Sequence, residues 1–374
     1  MREALDRWRG MRFLFKEFML ADFRASYEDL LDATRDADLL VTHPLAFAGP
    51  IIAEQTGIPW VSTTLAPITL FSAHDPSVPP LGQAFHTLLK LHPAVGRFAV
   101  AIGALGIRPY LRAVDELRRE IGLPPGAHPL FAGQHSPHLV LALFSQTLAR
   151  KQADHPPQTE LTGFAFYDGS DRTQRQTLNP ELRRFLDAGE PPVVFTLGSA
   201  AFLVAGDFYT ESLAAVVRNG QRAVLLVGDE RNLPSKNLPA NVWAVNYAPF
   251  SELFPRASCV VCSGGIGTIS QVMRAGVPAL VMPFTFDQPD NAHRLARLGM
   301  SRTIKRKHYS AARVAEELRA LTTNKIYAAR AAEIGRAVRA ENGHSRAADL
   351  IEDLLKTDSY RKSEVANDEQ LVLR

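Results

Sequence analysis

The sequence contains little cysteine, only two residues in 374, and both lie in the decapeptide CVVCSGGIGT at residues 259–268. Two thiols cannot build a disulfide framework, and a structural zinc ion needs four nitrogen or sulfur ligands. Cys259 and Cys262 enclose two valines in a run typical of a buried β-strand, where residues three apart point to opposite faces. The sulfurs should therefore diverge, which argues against a redox pair. We expect two ordinary thiols in a cytoplasmic protein.

The chain also lacks a strong net charge and a long apolar run. Its formal charge is +3, with 46% hydrophobic and 22% charged residues, which is an ordinary globular composition and gives no reason to expect a nucleic-acid partner. The charged opening segment, 1–18, has no signal-peptide core. The stretch FAVAIGALGI at 98–107 is too short to span a membrane and lies between Arg97 and Arg108. It predicts a helix facing the core or an apolar ligand, with peripheral membrane contact as the alternative.

Apolar strands alternate with helical segments in two parts of the chain. Residues 38–67 read as strand, helix and strand, and a second alternation begins at 193 after a polar stretch rich in proline and glycine. The pattern predicts an α/β protein with two Rossmann-like parallel-sheet domains facing each other across a cleft. The predicted bounds are 1–150 for the N-terminal domain, 151–190 for a linker, 191–356 for the C-terminal domain and 357–374 for a flexible tail.

A glycine-rich turn at 263–268 stands between a predicted strand and a predicted helix. Glycines let the backbone approach a ligand, and a helix N-terminus offers free N–H groups and the positive end of its dipole. The spacing matches neither the P-loop nor G-x-G-x-x-G, and no lysine follows. On this turn alone, an anion site and a tight strand-to-helix turn are equally good interpretations.

Two further loops follow strands in the same domain. TFDQPDN at 285–291 supplies Asp287, Gln288 and Asn291, whose side chains can grip sugar hydroxyls, and FTLGS ends at Ser199. Taken singly, the first loop could also be a capped helix start, with Asp290 or Asn291 as the cap. Because ligands bind at the carboxyl edge of parallel sheets, three such loops favour a diphosphate that carries a polyol, which is a nucleotide sugar.

The run from Tyr247 to Gly299 resembles the donor-binding signature of the family 1 glycosyltransferases, in its aromatic-x-Pro, Gly-Gly-x-Gly-Thr, Gly-Val-Pro and Asp-Gln elements. The match covers 190–356, and more loosely 38–150. It implies the two-domain GT-B fold and an enzyme that moves a hexose from a UDP- or dTDP-sugar to a hydroxyl of a small lipophilic acceptor. Inversion is implied, with no metal and no cofactor beyond the donor. The alternative is a non-catalytic sugar-nucleotide-binding protein.

The resemblance also implies site residues. Tyr247 stands where the family has an aromatic near the base, although a core aromatic at a strand end fits equally well. Asp287 and Gln288 would hold the hexose, with Asn291 in the same loop, and Gln271 could reach the ribose or lie on a solvated helix surface. The diphosphate would be held by Ser199, Ser263, Gly264, Gly265, Gly267 and Thr268.

Two departures from the family pattern matter. The family has a histidine immediately before the turn, where this chain has Cys262, a weak and usually neutral donor. Nothing before residue 38 resembles the family's first strand and base-bearing loop, so we expect a shortened N-terminal domain with an exposed sheet edge and low solubility. His43, and less so His74, are the candidates for the general base. Apolar helices within 84–115 would hold the acceptor.

Overall fold

The computed structural model describes residues 15, 19–79, 83–167 and 177–356. These residues form two compact α/β units, each built on a parallel sheet, which confirms the predicted fold class. The first unit comprises 15, 19–77, 83–165 and 342–356, and the second comprises 78–79, 166–167 and 177–341. The cleft predicted between them stays a prediction, and the predicted tail at 357–374 lies outside the described residues.

The elements follow the predicted alternation closely. The N-terminal half contains α1 (Phe23–Ala33), β1 (Leu40–Thr42), α2 (Ala48–Thr56), β2 (Trp60–Thr64), α3 (Gln83–Leu89), α4 (Pro93–Ile107), α5 (Arg112–Glu120), β3 (Leu139–Ala142) and β4 (Thr159–Leu161). The C-terminal half contains α6 (Pro180–Asp187), β5 (Val193–Thr196), α7 (Gly198–Ala201), α8 (Phe208–Asn219), β6 (Ala223–Leu226), β7 (Val242–Val245), α9 (Phe250–Leu253), β8 (Cys259–Cys262), α10 (Ile266–Ala275), β9 (Ala279–Val281), α11 (Gln288–Arg297), β10 (Ser301–Thr303), α12 (Ala311–Thr323), α13 (Lys325–Ala340) and α14 (Gly343–Lys356).

The first unit has four parallel strands in the order β1-β2-β3-β4. Strand β1 lies at the edge, and its Val41 is 47% exposed. Helix α2 ends at Gly57, whose φ of 73° is the left-handed C-cap that favours glycine. The predicted helical region breaks near its prolines as expected, because Pro93 opens α4 and a 3₁₀ turn at Arg108–Leu111 separates α4 from α5.

One helical stretch of the described residues, Pro93–Glu120, is long and apolar enough to cross a membrane by length and composition alone. Such evidence is weak, and α5 within this stretch buries Val114 and Leu117 in the core of the first unit. Helix α4 is different, because Gly96 is its one buried residue.

The compact units divide the chain at different places from the predicted bounds. The predicted linker at 151–190 contains β4, which pairs with β3, and also α6. Helix α14 belongs to the first unit, although 191–356 was predicted to be a single domain. Its Ala347 packs with Val61 and Leu139 on the first sheet. A helix's apolar periodicity predicts that it covers a sheet, but not which one.

The second unit has six parallel strands in the order β10-β9-β8-β5-β6-β7. Thr196 pairs with Cys262, and Cys262 pairs with Val281, so β5, β8 and β9 end at the same level. Helices α8 and α12 cover one face of this sheet, in a core that includes Phe195, Val261 and Leu318. The register therefore brings the loops that follow these three strands to one sheet edge.

Candidate functional site

A cavity of about 650 Å³ lies within the second unit at the carboxyl edge of its sheet. Loops that follow β5, β6, β7, β8 and β9 all contribute to its lining. Eight of the eleven predicted donor-binding residues line it: Ser199, Tyr247, Ser263, Gly265, Gly267, Thr268, Asp287 and Gln288. The tertiary structure thus brings together three loops that the sequence placed only at strand ends.

The glycine turn forms the start of helix α10. Gly265 is the N-cap, and the helix begins at Ile266, so the N-terminus of α10 lies beside the cavity. The Ile266 N–H there is bound by Asp287, and the Thr268 N–H donates to the Gly265 carbonyl at 3.0 Å. Gly264 has a φ of 87°, and a Cβ there would lie 2.7 Å from Cγ1 of Val281. Ser263 Oγ donates to the Leu197 carbonyl at 3.1 Å and joins the turn to the loop after β5. The turn is therefore held in a conformation that suits an anion.

Asp287 connects the second loop to this turn. Its Oδ2 accepts from the Ile266 N–H at 3.1 Å and from Asn291 Nδ2 at 2.7 Å. Burial raises the pKa of Asp287, and the hydrogen bonds from Asn291 and Ile266 oppose that rise. Gln288 Oε1 accepts from the Phe284 N–H at 2.8 Å, an arrangement that fixes the carboxamide at the cavity wall.

Tyr247 is 64% exposed and lines the cavity, so the interpretation of this residue as a core aromatic is wrong. Near it the lining includes Asn246 after β7, Gly228 after β6 and Phe202. Gly228 has a φ of 72°, and a Cβ at that position would lie 2.9 Å from the Phe202 ring. A flat aromatic group could enter this part of the cavity next to Tyr247 and Phe202.

Cys262 requires a correction. Its side chain is fully buried and does not line the cavity, and burial raises the pKa of the thiol to about 12. Successive residues of a strand point to opposite faces, so Ser263, one residue further along, faces the cavity instead. Both cysteines are free, as expected. A histidine able to reach a ligand at this turn would have to stand at position 263.

Gly264 and Asn291 also lie behind the cavity wall rather than in it. The Asn291 side chain is buried and donates to the Gly264 carbonyl at 2.9 Å as well as to Asp287. It therefore holds the glycine turn and the Asp287 loop together. Gln271 is half-buried and outside the lining.

The alternative interpretation of 285–291 as a capped helix start proposed Asp290 or Asn291 as the cap, and that choice of residue is wrong. The N-cap of α11 is Asp287, which makes no side-chain cap hydrogen bond. Asp290 lies inside the helix, buried, with its Oδ2 2.7 Å from Nε of Arg294. Its Oδ1 accepts from the Val78 N–H at 3.0 Å.

His43 lines a separate cavity of about 530 Å³ within the first unit, with Phe47, Trp60 and Gln134 among its other lining residues. Its Nδ1 accepts from the Leu45 N–H at 3.2 Å, which assigns the proton of the neutral ring to Nε2. Burial of part of the ring lowers the pKa of His43, so the imidazole is neutral at pH 7. His74 is exposed, and its backbone N–H donates to Ser72.

No group of three or more histidine, cysteine or acidic residues able to hold a metal ion occurs within the part of the chain that the structure describes. The predicted independence from metal stays a prediction.

The cavity-lining residues that sequence reasoning missed are of two kinds. Gly228 and Asn246 follow strands, so the same strand-end rule could have found them, whereas Phe202 reaches the cavity through folding of the chain after α7.

Comparison with known proteins identifies relatives of this chain. The Erythromycin biosynthesis protein CIII-like C-terminal domain matches residues 210–354. The chain is 34% identical over 364 residues to O-mycaminosyltylonolide 6-deoxyallosyltransferase of Streptomyces fradiae, covering 95% of this chain and 82% of that protein. It is also 27% identical to a sterol 3-beta-glucosyltransferase of Pichia angusta. That alignment covers 88% of this chain but only 27% of the Pichia angusta protein.

Solved structures share the fold. The glycotransferase of kitacinnamycin aligns with a TM-score of 0.71 at 22% identity, covering 95% of this chain and 84% of that one. The spinosyn rhamnosyltransferase SpnG, complexed with thymidine diphosphate, aligns with a TM-score of 0.62 at 19% identity, covering 91% and 81%. The fold is therefore GT-B, and the chain belongs to the family 1, UDP-glycosyltransferase-like glycosyltransferases, enzymes that transfer a sugar from a nucleotide sugar.

Proposed function

We propose that this chain transfers a hexose from a UDP- or dTDP-sugar to a hydroxyl of a small lipophilic acceptor, with inversion and without a metal ion. The observation that carries the proposal is the cavity of the second unit, where the N-terminus of α10 and the polar side chains of Asp287 and Gln288 share one wall. A nucleotide diphosphate sugar needs both features in one site, because it joins a dianionic linker to a polyol.

The diphosphate would lie at the glycine turn. The Gly267 N–H in the first turn of α10 and the Thr268 hydroxyl can donate to its oxygens. The positive end of the helix dipole would stabilise the nucleoside diphosphate as it leaves, which is the role a divalent cation has in other enzymes.

The hexose would lie against Asp287 and Gln288. Asp287 Oδ2 is engaged by two N–H donors, so its other carboxylate oxygen is the one oriented to accept from a sugar hydroxyl. Gln288 uses Oε1 on the backbone, so its amide Nε2 would donate to the sugar. The Streptomyces fradiae relative is named for transfer of a 6-deoxyallose and the Pichia angusta relative for transfer of glucose, which supports a hexose.

The acceptor would lie in the cavity of the first unit, which has aromatic and proline lining residues suited to a lipophilic molecule. The relatives named for a tylonolide and a sterol support such an acceptor. His43 at this cavity would take the hydroxyl proton as the hydroxyl attacks the anomeric carbon in a single inverting displacement. Because the unprotonated Nδ1 accepts from the Leu45 N–H, that contact must open before His43 takes a proton, either at Nδ1 directly or at Nε2 after the ring proton has moved to Nδ1.

Calorimetric titration with UDP and with dTDP tests the donor site first. We expect micromolar binding of at least one nucleotide, and SpnG and the glycosyltransferase VinC, both solved with thymidine diphosphate, make dTDP the first to try. Thr268→Val should weaken binding about tenfold, since it removes one donor to a charged group. Thr322→Val, at an exposed threonine of α12, is the matched control.

Transfer itself is then assayed with a hexose donor that carries the nucleotide bound more tightly, in the presence and absence of EDTA. The anomeric configuration of the product is determined by NMR. A retained configuration, or a rate that EDTA abolishes, would contradict the proposed mechanism. The second candidate function is sugar-nucleotide binding without catalysis, favoured by the engagement of His43 Nδ1 with Leu45. Tight donor binding with no transfer to any lipophilic alcohol would support this second function.

A further inference from the structure

Helix α4 of the first unit presents an apolar surface to solvent. Phe98, Ile102 and Leu105 are spaced by four and three residues, so they lie on one side of the helix, and we call them the α4 face. Phe98 is 67% and Leu105 76% exposed, and Leu88 and Leu91, just before the helix, are exposed as well. Contiguous exposed apolar residues of this kind mark an interaction surface more often than scattered single ones do.

The charged residues of the segment that carries the α4 face have one sign. Between Asp75 and Asp115 the sequence contains no acidic residue, whereas it contains Lys90, Arg97, Arg108 and Arg112. Arg108 pairs with Asp115 at 3.0 Å. The other three are exposed, and no ion pair to them occurs among the described residues. An apolar helical stripe bordered by unpaired cations is the pattern of a segment that lies on an anionic lipid surface.

We propose that α3 and α4 dock this enzyme on an anionic membrane, with the axis of α4 in the plane of the surface and the α4 face inserted at the boundary between headgroups and acyl chains. The 15 residues of α4 would extend about 22 Å, less than the roughly 30 Å of a bilayer core, so the helix lies on the membrane instead of spanning it. Lys90 and Arg97 would contact lipid phosphates.

A second copy of the chain fits the same surface less well. In a symmetric dimer each α4 face would meet its own equivalent, and the unpaired cations beside it would meet cations, with no acid between 76 and 114 to pair them. A bilayer of anionic lipids satisfies the apolar face and the cations together. The inference concerns docking alone, and it does not depend on the proposed donor or acceptor.

The test is flotation of the full chain with two kinds of vesicle: phosphatidylcholine alone, and equal parts phosphatidylcholine and phosphatidylglycerol. We expect binding to the anionic vesicles that falls steeply with salt. Phe98→Ser with Leu105→Ser should reduce this binding at least about tenfold, because two exposed apolar side chains no longer enter the lipid. Lys90→Gln with Arg97→Gln should reduce it about 25-fold, at roughly fivefold per lost cation.

Matched controls come from the second unit. Ile326→Ser with Val217→Ser removes two exposed apolar side chains, and Lys325→Gln with Arg336→Gln removes two exposed cations that lie away from the α4 face. Both should leave vesicle binding unchanged. All four variants should keep the thermal midpoint and UDP affinity of the parent chain, which separates a docking defect from misfolding or loss of the donor site.

Three outcomes would overturn the proposal. The chain does not float with anionic vesicles, or it floats equally well after Phe98→Ser with Leu105→Ser, or sedimentation shows a dimer that this double variant dissociates while vesicles are not bound. The last outcome would identify a second copy as the occupant of the α4 face.

Discussion

The two α/β units differ in how completely their apolar surfaces are covered. In the second unit every residue of β5, β6, β8 and β9 is buried. The inner strands β2 and β3 of the first unit are fully buried as well, but its edge strand β1 leaves Val41 half exposed and α4 buries only Gly96. The second unit is thus a closed core with a preformed cavity, as donor binding requires, whereas the first keeps apolar surface available for a partner or a membrane.

A histidine placed at each of two adjacent positions tests the closed core most strongly. Cys262→His should lower the free energy of unfolding by about 3 kcal/mol, because it forces a larger polar ring into a fully packed strand. Ser263→His should be tolerated far better, because Ser263 faces the cavity, and it should strengthen UDP binding about tenfold through a charge-assisted hydrogen bond. Urea denaturation and calorimetry measure the two effects. A stable Cys262→His protein with improved UDP affinity would contradict the strand register.

Two glycines give a matched comparison between the units. Gly264→Ala should destabilise the protein by at least about 2 kcal/mol, because its φ is 87° and the new Cβ would approach Val281 to 2.7 Å. Gly103→Ala on exposed α4 meets no atom within 4 Å and should stabilise by about 0.5–1 kcal/mol. Urea denaturation of both variants decides the point, and equal effects at the two glycines would remove the distinction between the units.

The buried carboxyl of Asp287 should give the second unit a pH dependence. Its folded-state pKa is raised above the ordinary 3.8, so the folded protein binds the proton more tightly than the unfolded chain does. The free energy of unfolding should therefore fall as the pH rises from about 4 through the raised pKa. The slope should be smaller than that for the release of one full proton on unfolding. Asp287→Asn should remove this slope in unfolding titrations between about pH 4 and pH 7.

Asp229 supplies the contrast in sign. Hydrogen bonds from Arg231 lower the pKa of this carboxyl to about 2, so any stability it contributes is present above about pH 4 and is lost as the pH falls toward 2. An Asp287→Asn protein with an unchanged slope above pH 4 would mean that the Asp287 carboxyl is not perturbed by burial.

The smallest effect is expected at the edge of the first sheet. Val41→Lys should change the free energy of unfolding by less than about 0.5 kcal/mol, because the side chain is already half exposed, yet it should slow aggregation by charging an edge strand. Light scattering during storage measures this. A different result is that Val41→Lys leaves aggregation unchanged while Phe98→Ser with Leu105→Ser suppresses it. That result would show that the α4 face, and not the sheet edge, causes the aggregation.

Much of the site could be predicted because it depends on local order along the chain. A buried strand followed by glycines and then an amphipathic helix predicts a strand-to-helix turn, so Gly265, Gly267 and Thr268 were placed at a helix start from sequence, and all three line the cavity. The chemistry of the 285–291 loop indicated Asp287 and Gln288, and the resemblance to a known family added Tyr247. Cys262 was misassigned because a shift of one residue reverses the face of a strand, and a short buried run does not reveal which face is which.

The sequence by itself determined the α/β class, the alternation of strands and helices outside 151–190, the free state of the two cysteines and the chemistry of the strand-end loops. Each of these follows from periodicity, glycine and proline positions or residue chemistry within a few neighbours. Only the tertiary structure decided that α14 packs on the first sheet, that Ser263 rather than Cys262 faces the cavity, that Asn291 supports the turn from behind, and that α4 remains uncovered. Those outcomes depend on which apolar surfaces meet across long sequence separations, and no local pattern encodes that choice.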